Sequence, residues 1–153
     1  MPRIARAPLR EALLHAGVLT ALAFGLHFVW ESAQCPLFFV HGSYDASRTG
    51  MLRATLGDVG LTWLIYIVPA GISGRWRWTA GRWGWPKVLA LIVIATALSI
   101  AIEARALANG SWRYKELTPL VPGTRVSVLP VLQLLLLTPL VFAGADRMTK
   151  GRA

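Results

Sequence analysis

Three acids border long apolar runs and are the residues best placed to do chemistry: Glu31, Asp58 and Glu103. Carboxyl groups whose surroundings separate their protonation states can serve as general acid and general base. His27 precedes Glu31 by four residues, so both fall on one face of a helix and could share a proton-transfer role. We therefore take Glu31, Glu103, His27 and Asp58 as candidate catalytic residues.

The elements that carry these residues are predicted to be membrane helices. Hydrophobic residues make up 55% of the 153-residue chain and charged residues only 15%, too apolar for an ordinary soluble domain. Four charge-poor runs approach the roughly 20 residues that a spanning helix needs. We predict helices over about 12–31, 58–74, 87–107 and 126–144. The expected fold is all-α, a polytopic four-transmembrane-helix bundle forming one domain, 1–153.

Two other interpretations of the apolar runs are less favourable. A soluble helical bundle would have to bury four such runs in a short chain. A cleaved signal peptide at the N-terminus would have a shorter apolar region, of about 7–15 residues, followed by a small-residue cleavage site. We therefore expect the first run to be a retained helix. The single cysteine, Cys35, cannot form an intramolecular disulfide, so helix packing must hold the fold.

The basic residues predict the orientation. Both tails and the loop after the second helix carry ten of them, and the two remaining loops carry six. The richer side is expected to be cytoplasmic. This predicts a multi-pass protein of the bacterial inner membrane with both termini in the cytoplasm. The net charge of +9 is explained by this pattern, so no nucleic-acid partner is expected.

The loop after the second helix also alternates tryptophan with basic residues. Stacking on nucleic acid is one interpretation of that pattern. We favour an interfacial belt, with Trp76, Trp78, Trp83 and Trp85 at headgroup depth. Membrane lipids are then the expected partners of the loop.

With this topology the polar residues of all four helices fall near one end of the bundle, on the non-cytoplasmic side. Glu31 and Glu103 come where the first and third helices end, and Asp58 comes where the second begins. Gln133 lies in the first turns of the fourth helix. The opposite half is expected to contain little comparable beyond His15 and Thr138. Each acid could also be structural, Asp58 as a helix N-cap and the glutamates in the headgroup layer.

Aromatic, polar and cationic residues near the same end are candidates for substrate binding, and the two outer loops could form a lid over them. A metal site is the alternative, since four possible ligands follow one another in this region. Pro36 counts against it by disfavouring a helical Cys35, and we predict no metal or other cofactor. The candidate substrate-binding residues are Trp30, Tyr66, Arg105, Trp112, Tyr114 and Gln133; the possible ligands are His27, Glu31, Cys35 and His41.

The run EARALANGSWRYKELTPLVPGTRVSVLPVLQ, with HFVWE in the first helix and GD at the second, is similar to a pattern in small uncharacterised bacterial four-helix membrane proteins. That resemblance implies no function. His27 and Glu31 resemble the membrane His-x-x-x-Glu of emopamil-binding-type sterol isomerases, which have five helices, with Glu103 as the further acid. Glu103, Trp112 and Tyr114 resemble part of the signature of carotenoid hydratases. Both resemblances imply proton chemistry on an isoprenoid-like lipid.

Three functions remain open from the sequence. The first is a membrane enzyme doing acid–base chemistry on a lipid or isoprenoid, with Glu31 and Glu103 as acid and base. The second is a non-enzymatic membrane subunit or assembly factor whose polar cluster joins helices. The third is a small proton-coupled transporter, although such sites usually lie near the midplane. A second copy of the chain or another membrane protein could be a partner in each case.

Overall fold

Four long helices account for most of the chain. The structure is a computed structural model that describes residues 9–41 and 48–150. All four helices are long and apolar enough to cross a membrane. The predicted all-α, four-helix membrane bundle is therefore confirmed. The helices are α1 (Leu9–Phe38), α2 (Arg48–Ser73), α3 (Trp85–Ala108) and α4 (Val128–Thr149).

The ends of α1 and α2 differ most from the predicted bounds. α2 begins at Arg48, well before the predicted start, so Asp58 lies inside the helix and is not its N-cap. A charged side chain interrupts an apolar run but does not interrupt the backbone hydrogen bonds of the helix. The apolar run is therefore shorter than the helix that contains it. At its other end, Gly74 has φ +65° and the Arg75 N–H bonds to the Ala70 carbonyl, which ends α2.

α1 continues past Glu31 to Phe38, so the expectation of a non-helical Cys35 was wrong. Pro36 lies in the last turn of the helix, where it lacks the N–H that would donate to the Ser32 carbonyl, and the helix ends two residues later. The Cys35 thiol donates to Glu31 Oε2 across one helical turn, at 2.8 Å. The Lys115 ammonium donates to the Pro36 carbonyl, which satisfies one of the acceptors at the helix end.

The packing of the four helices is uneven. α1 packs along α2 and α4, and α3 packs along α4, whereas α2 and α3 touch over a much shorter length. The buried face of α1 repeats every four residues and joins an apolar core to polar groups. This face consists of His15, Leu19, Ala23, His27, Glu31 and Cys35.

A short antiparallel ribbon covers the end of the bundle where α1 and α3 finish. We call this the cavity end, because a cavity lies there. β1 (Phe39–His41) pairs with β2 (Trp112–Tyr114), with Phe39 opposite Tyr114. Their rings meet edge to face with centroids 5.4 Å apart. The ribbon joins the two loops that the sequence predicts on this side.

The opposite end of the bundle holds a second polar cluster, contrary to the expectation that little would lie there. His15 is fully buried and its ring contacts Thr149 Oγ1 at 3.2 Å and the Tyr66 hydroxyl at 3.1 Å. Arg77, from the loop after α2, pairs with Glu11 at 2.7 Å and with Asp146 at 3.4 Å. These contacts bring the loop, the start of α1 and the end of α4 together.

Two tryptophans of this loop fold inward, which corrects their assignment to an interfacial belt. Trp78 is only 5% exposed and its indole N–H donates to the Tyr66 carbonyl at 2.8 Å. Trp76 lies edge to face against Tyr66. Burying large rings over the end of the core removes more apolar surface from water than leaving them at headgroup depth. Trp85, 70% exposed, still fits a belt.

Candidate functional site

A cavity of about 430 Å³ lies at the cavity end and is bounded by all four helices and the ribbon. It reaches the outer surface between α2 and α3, since Gly57 and the 41%-exposed Ile102 both line it. Most of the lining is apolar, and the three candidate acids interrupt it. The residues that line the cavity include Glu31, Gln34, Cys35, Phe39, Arg53, Asp58, Leu61, Ser99, Ile102, Glu103, Trp112, Gln133 and Leu134.

One wall of the cavity brings two carboxyl groups together. Glu31, on α1, is 6% exposed, and its Oε1 accepts from the Gln34 amide at 2.7 Å. Asp58, on α2, is a hydrogen-bond neighbour of the Glu31 carboxyl. A hydrogen bond between two carboxyl groups requires a proton on one of them. The pair can therefore hold a proton beside the cavity.

Gln133 connects this pair to the rest of the bundle. Its side-chain nitrogen lies 2.8 Å from Asp58 Oδ2 and 2.9 Å from His27 Nδ1, so each amide hydrogen has an acceptor. Its oxygen accepts from the Gln34 amide at 3.1 Å. Gln133 is 2% exposed, and its hydrogen bonds join α4 to both α1 and α2. The residue therefore fixes where the Asp58 carboxylate points.

His27 lies behind the cavity wall and does not line it. It is fully buried, and its Nε2 contacts Thr62 Oγ1 at 3.0 Å. Since Gln133 donates to Nδ1, the proton of the neutral ring belongs on Nε2, which then donates to Thr62. The Asp58 carboxylate is 3.8 Å from Nδ1, too far for a hydrogen bond. The geometry thus gives His27 a positioning role through Gln133 and not direct contact with a reacting molecule.

Gln34 belongs to the same network and was missed from the sequence. It donates to both Glu31 and Gln133, and its own oxygen accepts from the Trp30 indole N–H at 2.8 Å. The apolar run ends at Glu31, so the sequence predicts Gln34 in a loop. If the predicted first helix had continued through Pro36, the spacing of three residues between Glu31 and Gln34 would have placed both side chains on one face.

The third carboxyl group, Glu103, lies on the α3 wall and has different partners. It is 5% exposed, and its Oε2 accepts from the Trp112 indole at 3.3 Å and from the Tyr114 hydroxyl. The same hydroxyl accepts from the Ser127 N–H at 3.0 Å, which fixes the direction in which it donates. Burial, and next the hydrogen bond to Glu103, raises the pKa of Tyr114, so this phenol stays protonated at neutral pH.

The position of these groups along the helices is set by the helical rise of about 1.5 Å per residue. Glu31 lies about 30 Å along α1 from Glu11, and Glu103 lies about 27 Å along α3 from Trp85. Asp58 lies about 23 Å from the opposite end of α2. Since the apolar layer of a bilayer is about 30 Å thick, a membrane-spanning bundle would hold the three carboxyl groups in the last third of that layer.

Four predicted substrate-binding residues, Trp30, Tyr66, Arg105 and Tyr114, lie outside the cavity lining. Tyr66 shares a face of α2 with Asp58, but it is about 12 Å further along the helix and belongs to the second polar cluster. Arg105 is exposed on α3. Trp30 binds Gln34 and reaches the site only through that side chain. Trp112 and Gln133 do line the cavity, and Tyr114 contacts it through Glu103.

Of the residues considered for a metal, His27, Glu31 and Cys35 have described side chains and are not grouped as ligands. Among residues 9–41 and 48–150, no three His, Cys, Asp or Glu side chains are grouped around a common point suitable for a metal ion. Cys35 uses its thiol proton in the bond to Glu31. The side chain of His41 lies outside the described residues.

No known protein family, curated protein or solved structure matches the chain. The resemblances to sterol isomerases and carotenoid hydratases therefore remain predictions from short motifs.

Proposed function

We propose that the protein is an integral membrane enzyme that does acid–base chemistry on an unsaturated lipid or isoprenoid. The observation that supports this most strongly is the placement of carboxyl groups on two walls of one mainly apolar cavity. The volume of about 430 Å³ falls within the roughly 300–1,000 Å³ typical of ligand pockets. Placing an ionisable side chain at the depth of the lipid hydrocarbon costs free energy. Residues of this kind inside a membrane are therefore usually functional.

The two walls are suited to opposite roles. Glu103 accepts two hydrogen bonds on one oxygen, and donors of this kind stabilise a carboxylate. The paired Glu31 and Asp58 carboxyl groups can hold a proton between them and act as the acid. Giving a proton to one alkene carbon and removing another from a neighbouring allylic carbon moves a double bond. That reaction conserves atoms and electrons and needs no cofactor.

The depth of the cavity and its opening between α2 and α3 support access from the bilayer. In the orientation predicted from the basic residues, the cavity end faces away from the cytoplasm. We place the enzyme in the bacterial inner membrane, with both termini cytoplasmic and the reaction in the outer leaflet. Its partners are then membrane lipids, one of which is the substrate.

Exchange of solvent hydrogen into lipid tests the proposal. Protein in nanodiscs of total bacterial lipid is incubated in D₂O, and the lipids are examined by mass spectrometry. The wild type should introduce deuterium into an unsaturated lipid, and Glu103→Gln should slow this by about 10²–10⁴-fold. Glu31→Gln should also slow it. Glu116→Gln, an exposed acid outside the cavity, is the matched control.

Two outcomes would overturn the enzyme proposal: no deuterium uptake by the wild type, or equal uptake by wild type and Glu103→Gln. The network of Gln34, His27, Thr62 and Gln133 favours the second candidate, a non-enzymatic subunit, because it joins three helices. On that alternative the glutamine variants would alter stability or assembly with no chemistry to lose. The position of the cavity near one end of the bundle, and not at its midplane, disfavours a transporter.

A further inference from the structure

One buried hydroxyl group at the cavity wall has no hydrogen-bond partner among the described residues. Ser99, on α3, is 2% exposed, and its Oγ has no hydrogen-bond partner. A serine inside a helix commonly bonds back to the carbonyl four residues earlier, and this one does not. Buried polar atoms are nearly always satisfied, so an orphaned one needs an explanation. Ser99 lines the cavity, one helical turn before Glu103.

We infer that Ser99 and Glu103 form a subsite for one uncharged hydroxyl group on an otherwise apolar substrate. This deepens the proposed function and rests on it. A serine hydroxyl both donates and accepts, and a carboxylate accepts, so the two together suit a substrate hydroxyl. The Trp112 and Tyr114 donors both contact Oε2 of Glu103, and its Oε1 is not engaged by either. The substrate oxygen would then lie between Ser99 Oγ and the Glu103 carboxyl group.

The charges around the cavity argue against an anionic substrate. Three carboxyl groups line it, while Arg53 is the one cationic side chain that the described residues contribute. A phosphate or carboxylate group would meet like charges there, which disfavours binding. The rest of the molecule would contact apolar side chains such as Leu61, Ile102 and Leu134. The substrate class is thus a neutral lipid alcohol.

Three matched probes test the subsite: the isoprenoid alcohol farnesol, the hydrocarbon farnesene, and farnesylamine. Binding to detergent-solubilised protein is measured by ligand-induced thermal stabilisation at equal mole fractions. Farnesol should bind about five-fold more tightly than farnesene, the worth of roughly one neutral hydrogen bond. Ser99→Ala should remove that preference, with the melting temperature of the free protein unchanged or slightly raised, since no hydrogen bond is lost.

Thr138→Val provides the matched control. Thr138 Oγ1 is also buried without a partner, but Thr138 does not line the cavity. The variant should keep the preference for farnesol. The inference is overturned if farnesol and farnesene bind equally or none of the probes binds. It is also overturned if Ser99→Ala keeps the preference, or if farnesylamine binds most tightly independently of Ser99.

These results are separable from those that test the enzyme itself. Deuterium uptake that depends on Glu103 but not on Ser99 would leave the proposed function intact and remove the subsite. Ser99-dependent farnesol binding without deuterium uptake would instead support a lipid-binding protein and remove the acid–base chemistry.

Discussion

Replacing Gln133 with leucine should destabilise the bundle measurably, although leucine is the more apolar residue. The side chain contacts Asp58, His27 and Gln34, all of which would lose a partner. Polar contacts between membrane helices contribute about 0.6 kcal/mol each on average and at most about 1.7 kcal/mol. We therefore expect the free energy of unfolding to fall by about 2 kcal/mol, with an upper limit near 5 kcal/mol.

Reversible unfolding in mixed micelles measures this loss, with Thr138→Val as a control that should stay within about 0.5 kcal/mol of the wild type. A cycle with His27→Leu should give a coupling of at least about 0.5 kcal/mol, because His27 and Gln133 are direct partners. If Gln133→Leu is as stable as the wild type, or if the two effects simply add, our view of Gln133 as the link between three helices is wrong.

Tyr114→Phe keeps the ring on Phe39 but removes the hydroxyl between Glu103 and Ser127, so deuterium uptake should fall and stability should drop by about 1–3 kcal/mol; unchanged uptake would contradict the role of the phenol. Arg77→Gln leaves two acids unpaired at the second polar cluster and should cost about 1–3 kcal/mol in unfolding experiments, whereas the exposed Arg82→Gln should cost almost nothing. Reporter fusions to Arg3 and Ala153 should both indicate the cytoplasm and one near Ser43 the other side; these three positions lie outside the described residues, and an exported C-terminus would invalidate the orientation.

Much of the site can be placed from the sequence because polar spacing and helix order are local properties. The spacing puts Glu31 and His27 on one face of α1, and the alternation of helices puts Asp58, Glu103 and Gln133 at the same end. The structure does bring these side chains together. The sequence could not separate Tyr66 from Asp58, since residues four and eight apart share a face whatever their depth.

The sequence by itself determined the class of protein, because the length and polarity of four segments decide whether they can lie in a bilayer. Only the tertiary structure decided where α1 and α2 end, because hydrogen bonds and packing, not apolar composition, set a helix boundary. It also decided that Glu103 faces the Glu31–Asp58 pair across a cavity while His27 lies behind the wall. Those relations depend on contacts between helices far apart in the chain, and no local pattern records them.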